Sequence, residues 1–237
     1  MKKIGFFVLA VGLVTAPVSG MAAYEGADVK EGGTISGSVK FKGTAPAPKK
    51  LDVSKDKEVC DKSPKVDQTL VVKDGNLANA VVTITDIKKG KKIELKKVTL
   101  DQKGCEYHPH VLAFPAGSTV EILNPDGILH NVHSYSKANS PFNQAQPKFK
   151  KSLDVKIEKP EVIEVKCDVH GWMHGWLIAT ENPYFAVTDG SGSFKLTDVP
   201  AGSYTVEVWH EKLGKSTQKV TVKAKEEAKV NFEVAGK

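Results

Sequence analysis

From residue 33 onward, nearly every segment of the chain alternates Val, Ile or Thr with polar residues and breaks at Gly, Pro, Asn or Asp. A two-residue apolar period turns one face of a segment to a core and the other to water, which is the geometry of a strand. Thr34 to Phe41, Ala80 to Thr85, Lys91 to Leu100, Ser118 to Leu123, Val162 to Lys166, Ser203 to Trp209 and Gln218 to Val222 all read this way. No window of helical length sustains a 3.6-residue apolar period. The expected fold is therefore all-β, and 237 residues with 40% apolar content suffice for two β-sandwich domains, each with its own core.

The order of short motifs suggests how those domains are arranged. Near the start stand Gly33-Thr34-Ile35-Ser36-Gly37-Ser38-Val39 and Leu77-Ala78-Asn79-Ala80-Val81-Val82-Thr83-Ile84. Near the end stand Thr188-Asp189-Gly190-Ser191-Gly192-Ser193-Phe194 and Val199-Pro200-Ala201-Gly202-Ser203-Tyr204. Taken singly, the Thr-Asp-Gly-Ser-Gly stretch reads as a hairpin turn. Together the four pieces resemble the carboxypeptidase regulatory-like β-sandwich, which is similar in appearance to transthyretin-like sandwiches. They keep that family's order, but about a hundred residues separate the second piece from the third. The resemblance implies a discontinuous domain, 24–96 with 182–237, into which a second domain, 97–181, is inserted at an exposed loop. The Lys-rich stretch Lys223 to Lys229 reads as a solvated edge strand.

Inside the insert, Cys167-Asp168-Val169-His170-Gly171-Trp172-Met173 follows a β-branched strand ending at Val165-Lys166. A thiolate, an imidazole and a thioether within seven residues can converge on one metal if the turn is tight, and soft sulfur with imidazole suits copper. A second imidazole has to come from another strand, and Asn124-Pro125-Asp126-Gly127-Ile128-Leu129-His130 supplies it. Residues Tyr107 through Val132 and the Cys-x2-His-x2-Met loop resemble the cupredoxins, with a ligand loop similar to that of amicyanin. Over the whole chain the likeness extends to plastocyanin-like relatives labelled for methylamine utilization. The resemblance implies a Greek-key sandwich holding one type 1 copper ion. His130 would be the strand ligand, Cys167 the thiolate, His170 the exposed imidazole and Met173 the axial ligand. It further implies single-electron transfer between redox protein partners, with no enzyme activity.

Three cysteines in an oxidising compartment leave one unpaired. Cys167 has the metal context, so Cys60 and Cys105 are expected to form a disulfide. The alternative use of Cys105 is a second metal site with His108 and His110. His133, three residues after His130 on a strand, points to the opposite face. His174 is expected to face solvent or to replace Met173 as axial ligand. Trp172 and Trp176 flank the loop, either packed on the sandwich rim or forming an apolar docking patch around His170.

The first residues have the three-part layout of a secretory signal peptide, 1–23, which implies a periplasmic protein. The apolar run from Ile4 to Ala16 is shorter than the roughly 20 residues that span a bilayer, and no second run follows, so no integral membrane segment is expected in the mature protein. The formal charge of +6 comes entirely from Lys, for the chain has no Arg, and those residues are interspersed with Asp and Glu. That composition argues against nucleic-acid binding, which leans on bidentate guanidinium groups. Two other functions fit the same residues. The extra histidines suit a copper-delivery protein that carries no current, and the regulatory-like domain suits a surface binding module.

Overall fold

The computed structural model describes residues 23–236; the expected leader, apart from Ala23, lies outside the described residues. The chain is all-β, with a single short helix, Lys57–Cys60, among the described residues. Its apolar side chains gather into two large buried clusters, each enclosed by its own pair of sheets.

The first cluster draws residues from both ends of the chain. One of its sheets runs in the order Phe185–Val187, Val81–Ile84, Gly202–His210, Gly214–Val222. The other is built around Gly33–Phe41, which pairs with Ser193–Val199 and Asn76–Leu77, while Glu227–Lys229 and Phe232–Val234 run parallel to it. Ile35 and Val39 from one sheet meet Val82, Ile84, Val206 and Val208 from the other. The sequence motifs acquire physical reasons here. Gly192 takes φ +68 in the turn after Asp189, and a Cβ there would lie 2.6 Å from the Val39 carbonyl oxygen. The Tyr204 hydroxyl donates to the Pro200 carbonyl at 3.0 Å, closing the corner that leads into its strand.

The second cluster lies between a five-stranded and a three-stranded sheet. The larger runs Asn143–Gln146, His130–Ser134, Glu161–Lys166, His174–Thr180, Val111–Pro115; the smaller runs Ser152–Lys156, Thr119–Leu123, Lys97–Asp101. Leu100, Val120 and Ile122 from the smaller sheet share a core with Phe114, Val132, Ile163 and Leu177 from the larger. A third, small cluster joins the two units. Val81, Val187 and Trp209 meet Val111, Ile178 and Trp176, and the two indoles stack edge to face at 5.1 Å.

One strand expectation requires correction. Lys91 to Leu100 is not continuous: Lys89–Lys91 pairs with Glu25–Ala27, Lys97–Asp101 pairs with Thr119–Leu123, and residues 92–96 between them pair with neither sheet. The alternation continues across a passage between two units, where one-dimensional pattern cannot register a change of partner. At the other end, Glu227–Lys229 does form a strand, hydrogen-bonded to Thr34–Ser36.

The 136–161 region carries a polar clamp of its own. The Glu161 carboxylate accepts from the Ser136 hydroxyl, from the Asn139 side chain and from the backbone N–H groups of Lys137, Ala138 and Asn139. Burial pushes its pKa up, but these donors outweigh that and bring it down to about 2. A carboxyl whose folded value lies below its unfolded value stabilises above the unfolded value, and the contribution is lost as pH falls through about 2. Glu161→Gln is expected to cost about 2 kcal/mol at pH 7, after allowance for solvent screening. In urea unfolding followed by tryptophan fluorescence, the difference from wild type should shrink steadily below pH 4.5.

Candidate metal centre

Cys167 follows the strand Glu161–Lys166 directly, and His174 opens the next strand, with Lys166 and His174 in register across the hairpin. Seven residues therefore close a loop between two paired positions. The loop is tight: the Cys167 N–H donates to the Met173 carbonyl at 3.2 Å and the Met173 N–H to the His170 carbonyl at 2.9 Å. His130 arrives from the neighbouring strand, whose approach is pinned by Asn124. The Asn124 amide donates at 2.8 Å to the carbonyls of both Ile128 and Gln146.

All four expected ligand residues are buried: His130 and His170 are 0% exposed, Met173 1% and Cys167 2%. His130, Cys167 and His170 bring one donor atom each to within 4.8 Å of the others. The two imidazole Nδ1 atoms are 2.9 Å apart, and Cys167 Sγ is 3.8 Å from His170 Nδ1. Each ring is held from behind by a carboxylate. His130 Nε2 donates to Asp126 at 3.0 Å and His170 Nε2 to Asp56 at 2.8 Å. Asp126 is fixed in turn by the N–H groups of Gly104 and Cys105, at 2.7 and 2.8 Å.

These contacts determine what can sit between the rings. A carboxylate only accepts, so each Nε2 carries its proton, and in two neutral rings both Nδ1 lone pairs face each other across 2.9 Å. Such a contact calls for a positive charge between the atoms, either an added proton or a cation. The thiol alongside is predisposed to ionise. Burial raises its pKa, but the neighbouring imidazoles of His130 and His170 and the backbone N–H groups of Asn131 and His170 outweigh this and bring it down to about 6. A thiolate beside two unprotonated imidazole nitrogens, each oriented by an outer carboxylate, matches the donor set of a transition metal.

The surroundings differ from expectation in one important respect. His170 is covered rather than exposed. The connection 42–71, which leaves the first unit after Gly33–Phe41, reaches over the second and buries Val53 and Cys60 in its core. The Cys60–Cys105 disulfide fastens it there, as the cysteine count led one to expect. The strap carries Asp56 onto His170. The two tryptophans are also committed to packing: Trp172 donates to the Cys105 carbonyl at 3.0 Å, and Trp176 stacks on Trp209.

The remaining histidines take separate places. His133 turns away from His130, lies 3.2 Å from Asp168 and stacks on Tyr135. His108 is exposed and near the Lys103 carbonyl, and the sulfur of Cys105 is in the disulfide, so the trio Cys105, His108 and His110 forms no site. His174 points neither into the centre's donor set nor freely into solvent; it lies between Glu164 and Glu211. Asp126 and Asp56 were not anticipated as supports. The spacing of Asp126 four residues before His130 in an Asn-Pro-Asp-Gly turn carries a local signal for the first, whereas Asp56 lies 114 positions from His170 and carries none.

A family model described as the carboxypeptidase regulatory-like domain matches residues 177–235. No curated protein matches the chain. Among solved structures, the chain is similar to a copper-containing nitrite reductase from Thermus scotoductus, at 23% identity and a TM-score of 0.35, over 42% of this chain and 25% of that one. The chain thus spans about a quarter of the reductase's length. It is similar also to a novel purple cupredoxin from Nitrosopumilus maritimus, at 21% identity and a TM-score of 0.31, over 35% of this chain and 100% of that one. A mutant amicyanin in its reduced state aligns at 18% identity and a TM-score of 0.32, over 35% and 82%.

Proposed function

We propose that the chain is an exported type 1 copper protein that binds one copper ion through His130, Cys167, His170 and Met173 and passes single electrons between redox protein partners. The observation that carries this reading is the pair of facing Nδ1 atoms beside a buried, readily ionised thiol, with both outer nitrogens committed to carboxylates. Copper bound there would supply a one-electron couple. Met173, buried in the same loop, is the fourth donor, and a thioether suits copper better than zinc.

The chain's own part is to hold these donors still. His130 is fixed by Asp126 and its strand, and Cys167 and Met173 by the closed hairpin. His170 is fixed by Asp56. Donors confined in this way move little between oxidation states, which favours rapid electron exchange. Their burial disfavours substrate access and slows ion exchange, which favours a carrier of electrons over an enzyme or a delivery protein. Electrons would leave through His170 and the Asp56 carboxylate, which is 30% exposed at the surface of the strap. The Cys60–Cys105 disulfide supports an oxidising compartment, in this reading the periplasm.

The test is a cupric titration of the purified protein followed by visible absorption, with Cys167→Ala in parallel. An intense band saturating at one equivalent in the wild type and absent from the variant is expected. Copper bound without such a band in the wild type would end the type 1 reading.

A further inference from the structure

On the far side of Met173, three more metal-ligating side chains converge. His110 stands just before Val111–Pro115, and His174 opens the strand beside it; their rings are 5.6 Å apart. Glu211 comes from the other unit, in the turn after Gly202–His210. Its carboxylate sits between the two rings: Oε1 accepts from His110 Nε2–H, a proton that a bound ion would displace, and Oε2 lies 3.8 Å from His174 Nδ1. One donor atom from each residue falls within 4.8 Å of the others.

We propose that His110, His174 and Glu211 form a second metal site, for a divalent ion of the zinc type, that ties the two sandwiches together. Burial gives the first reason. The Glu211 side chain is only 4% exposed and that of His110 8%, and the carboxylate's partners among the described residues are the two imidazoles, with no lysine within ion-pair distance. A buried carboxylate whose only neighbours are imidazoles is costly unless a cation or a proton joins it. Orientation gives the second. His174 Nε2 faces Glu164 Oε1 at 3.0 Å, so that nitrogen carries the proton and Nδ1 is left bare toward Glu211. A carboxylate behind a liganding imidazole is the usual way such a ring is held.

Two imidazoles and one carboxylate are a known zinc set, completed by water or another ligand in a fourth position. Here His110 and His174 border a cavity of about 430 Å³, also lined by Tyr107, His108 and Trp172, which leaves room for it. The Glu211 turn is stiff, because the N–H of Lys212 donates to His210 Nδ1 and that of Leu213 to the His210 carbonyl. The site takes none of its ligands from the Cys167 centre and stands whether or not that centre binds copper.

The experiment uses the full mature protein carrying Cys167→Ala, so that the first centre's thiolate does not contribute, dialysed against zinc ion, with bound metal counted by atomic emission. One zinc per chain is expected. Adding Glu211→Gln, or separately His110→Ala, should weaken it at least about tenfold. In the Cys167→Ala protein, zinc should raise the unfolding temperature, and Glu211→Gln in the same background should abolish the rise. Retention of no zinc by the Cys167→Ala protein would overturn the proposal, as would zinc held equally tightly after both further substitutions. Loss of the visible copper band leaves these readouts unaffected, so the two centres fail or stand separately.

Discussion

Replacing both Cys60 and Cys105 with serine is expected to remove about 4 kcal/mol of stability, read as a lower denaturant midpoint. The crosslinked residues are 45 positions apart, and constraining a loop of that length in the unfolded chain is worth about 4 kcal/mol by loop-closure entropy. The loss should fall most heavily on the strap formed by 42–71, whose ties to the second unit are few. They include the disulfide, the burial of Val53, the packing of Val59 and the Asp56 contact with His170, together with Lys65, which reaches Glu106 at 3.7 Å. A second readout follows from that placement. With the strap loosened, His170 loses its cover, so an external chelator should strip the metal faster even where the protein remains folded. A midpoint unchanged by the double substitution would mean that apolar packing alone orders the strap.

The same strap marks the limit of what could be read from sequence. Three of the four proposed ligands fall within seven residues, and the fourth ends a turn rich in Asn, Pro, Asp and Gly, so local pattern brings all four forward. Strand periodicity likewise gives the all-β architecture, because each strand's alternation is a local property. What covers His170 is not local. Asp56 lies in a segment of charged residues and prolines that has no apolar period, and only the fold brings it across 114 positions. Glu211 reaches His110 across 101 positions for the same reason. The broken run Lys91 to Leu100 failed in the opposite way, with a convincing local alternation spread over two different partners. Both kinds of error arise where the two units meet.

Gly37→Ala is expected to be the most damaging glycine-to-alanine change among the described residues, costing about 4 kcal/mol or more. The expectation rests on backbone rather than side chains. A Cβ at Gly37 would lie 1.6 Å from the Val230 carbonyl oxygen and 2.7 Å from its carbon. The closing segment passes directly over this position: Val230 N–H donates to the Ser36 carbonyl at 2.9 Å, and the Ser38 N–H donates to Asn231 Oδ1 at 3.0 Å. Relief therefore requires moving 227–234 off the strand, which surrenders two short parallel ladders and uncovers Val230, Phe232 and Val234. Burial of a phenylalanine such as Phe232 is alone worth about 3–5 kcal/mol by truncation. The smaller unfolded-state entropy of alanine returns only about 0.4–1 kcal/mol. Gly190→Ala, in the turn that carries the other glycine motif, is the control. Its Cβ would meet nothing within 4 Å and its φ is not in the left-handed range, so urea unfolding should find it neutral or slightly stabilised. Loss of stability in both variants alike would refer the effect to glycine content; loss confined to Gly37 assigns it to the crossing of the closing segment, and the copper spectrum proposed for the Cys167 centre, in the other core, should be unchanged.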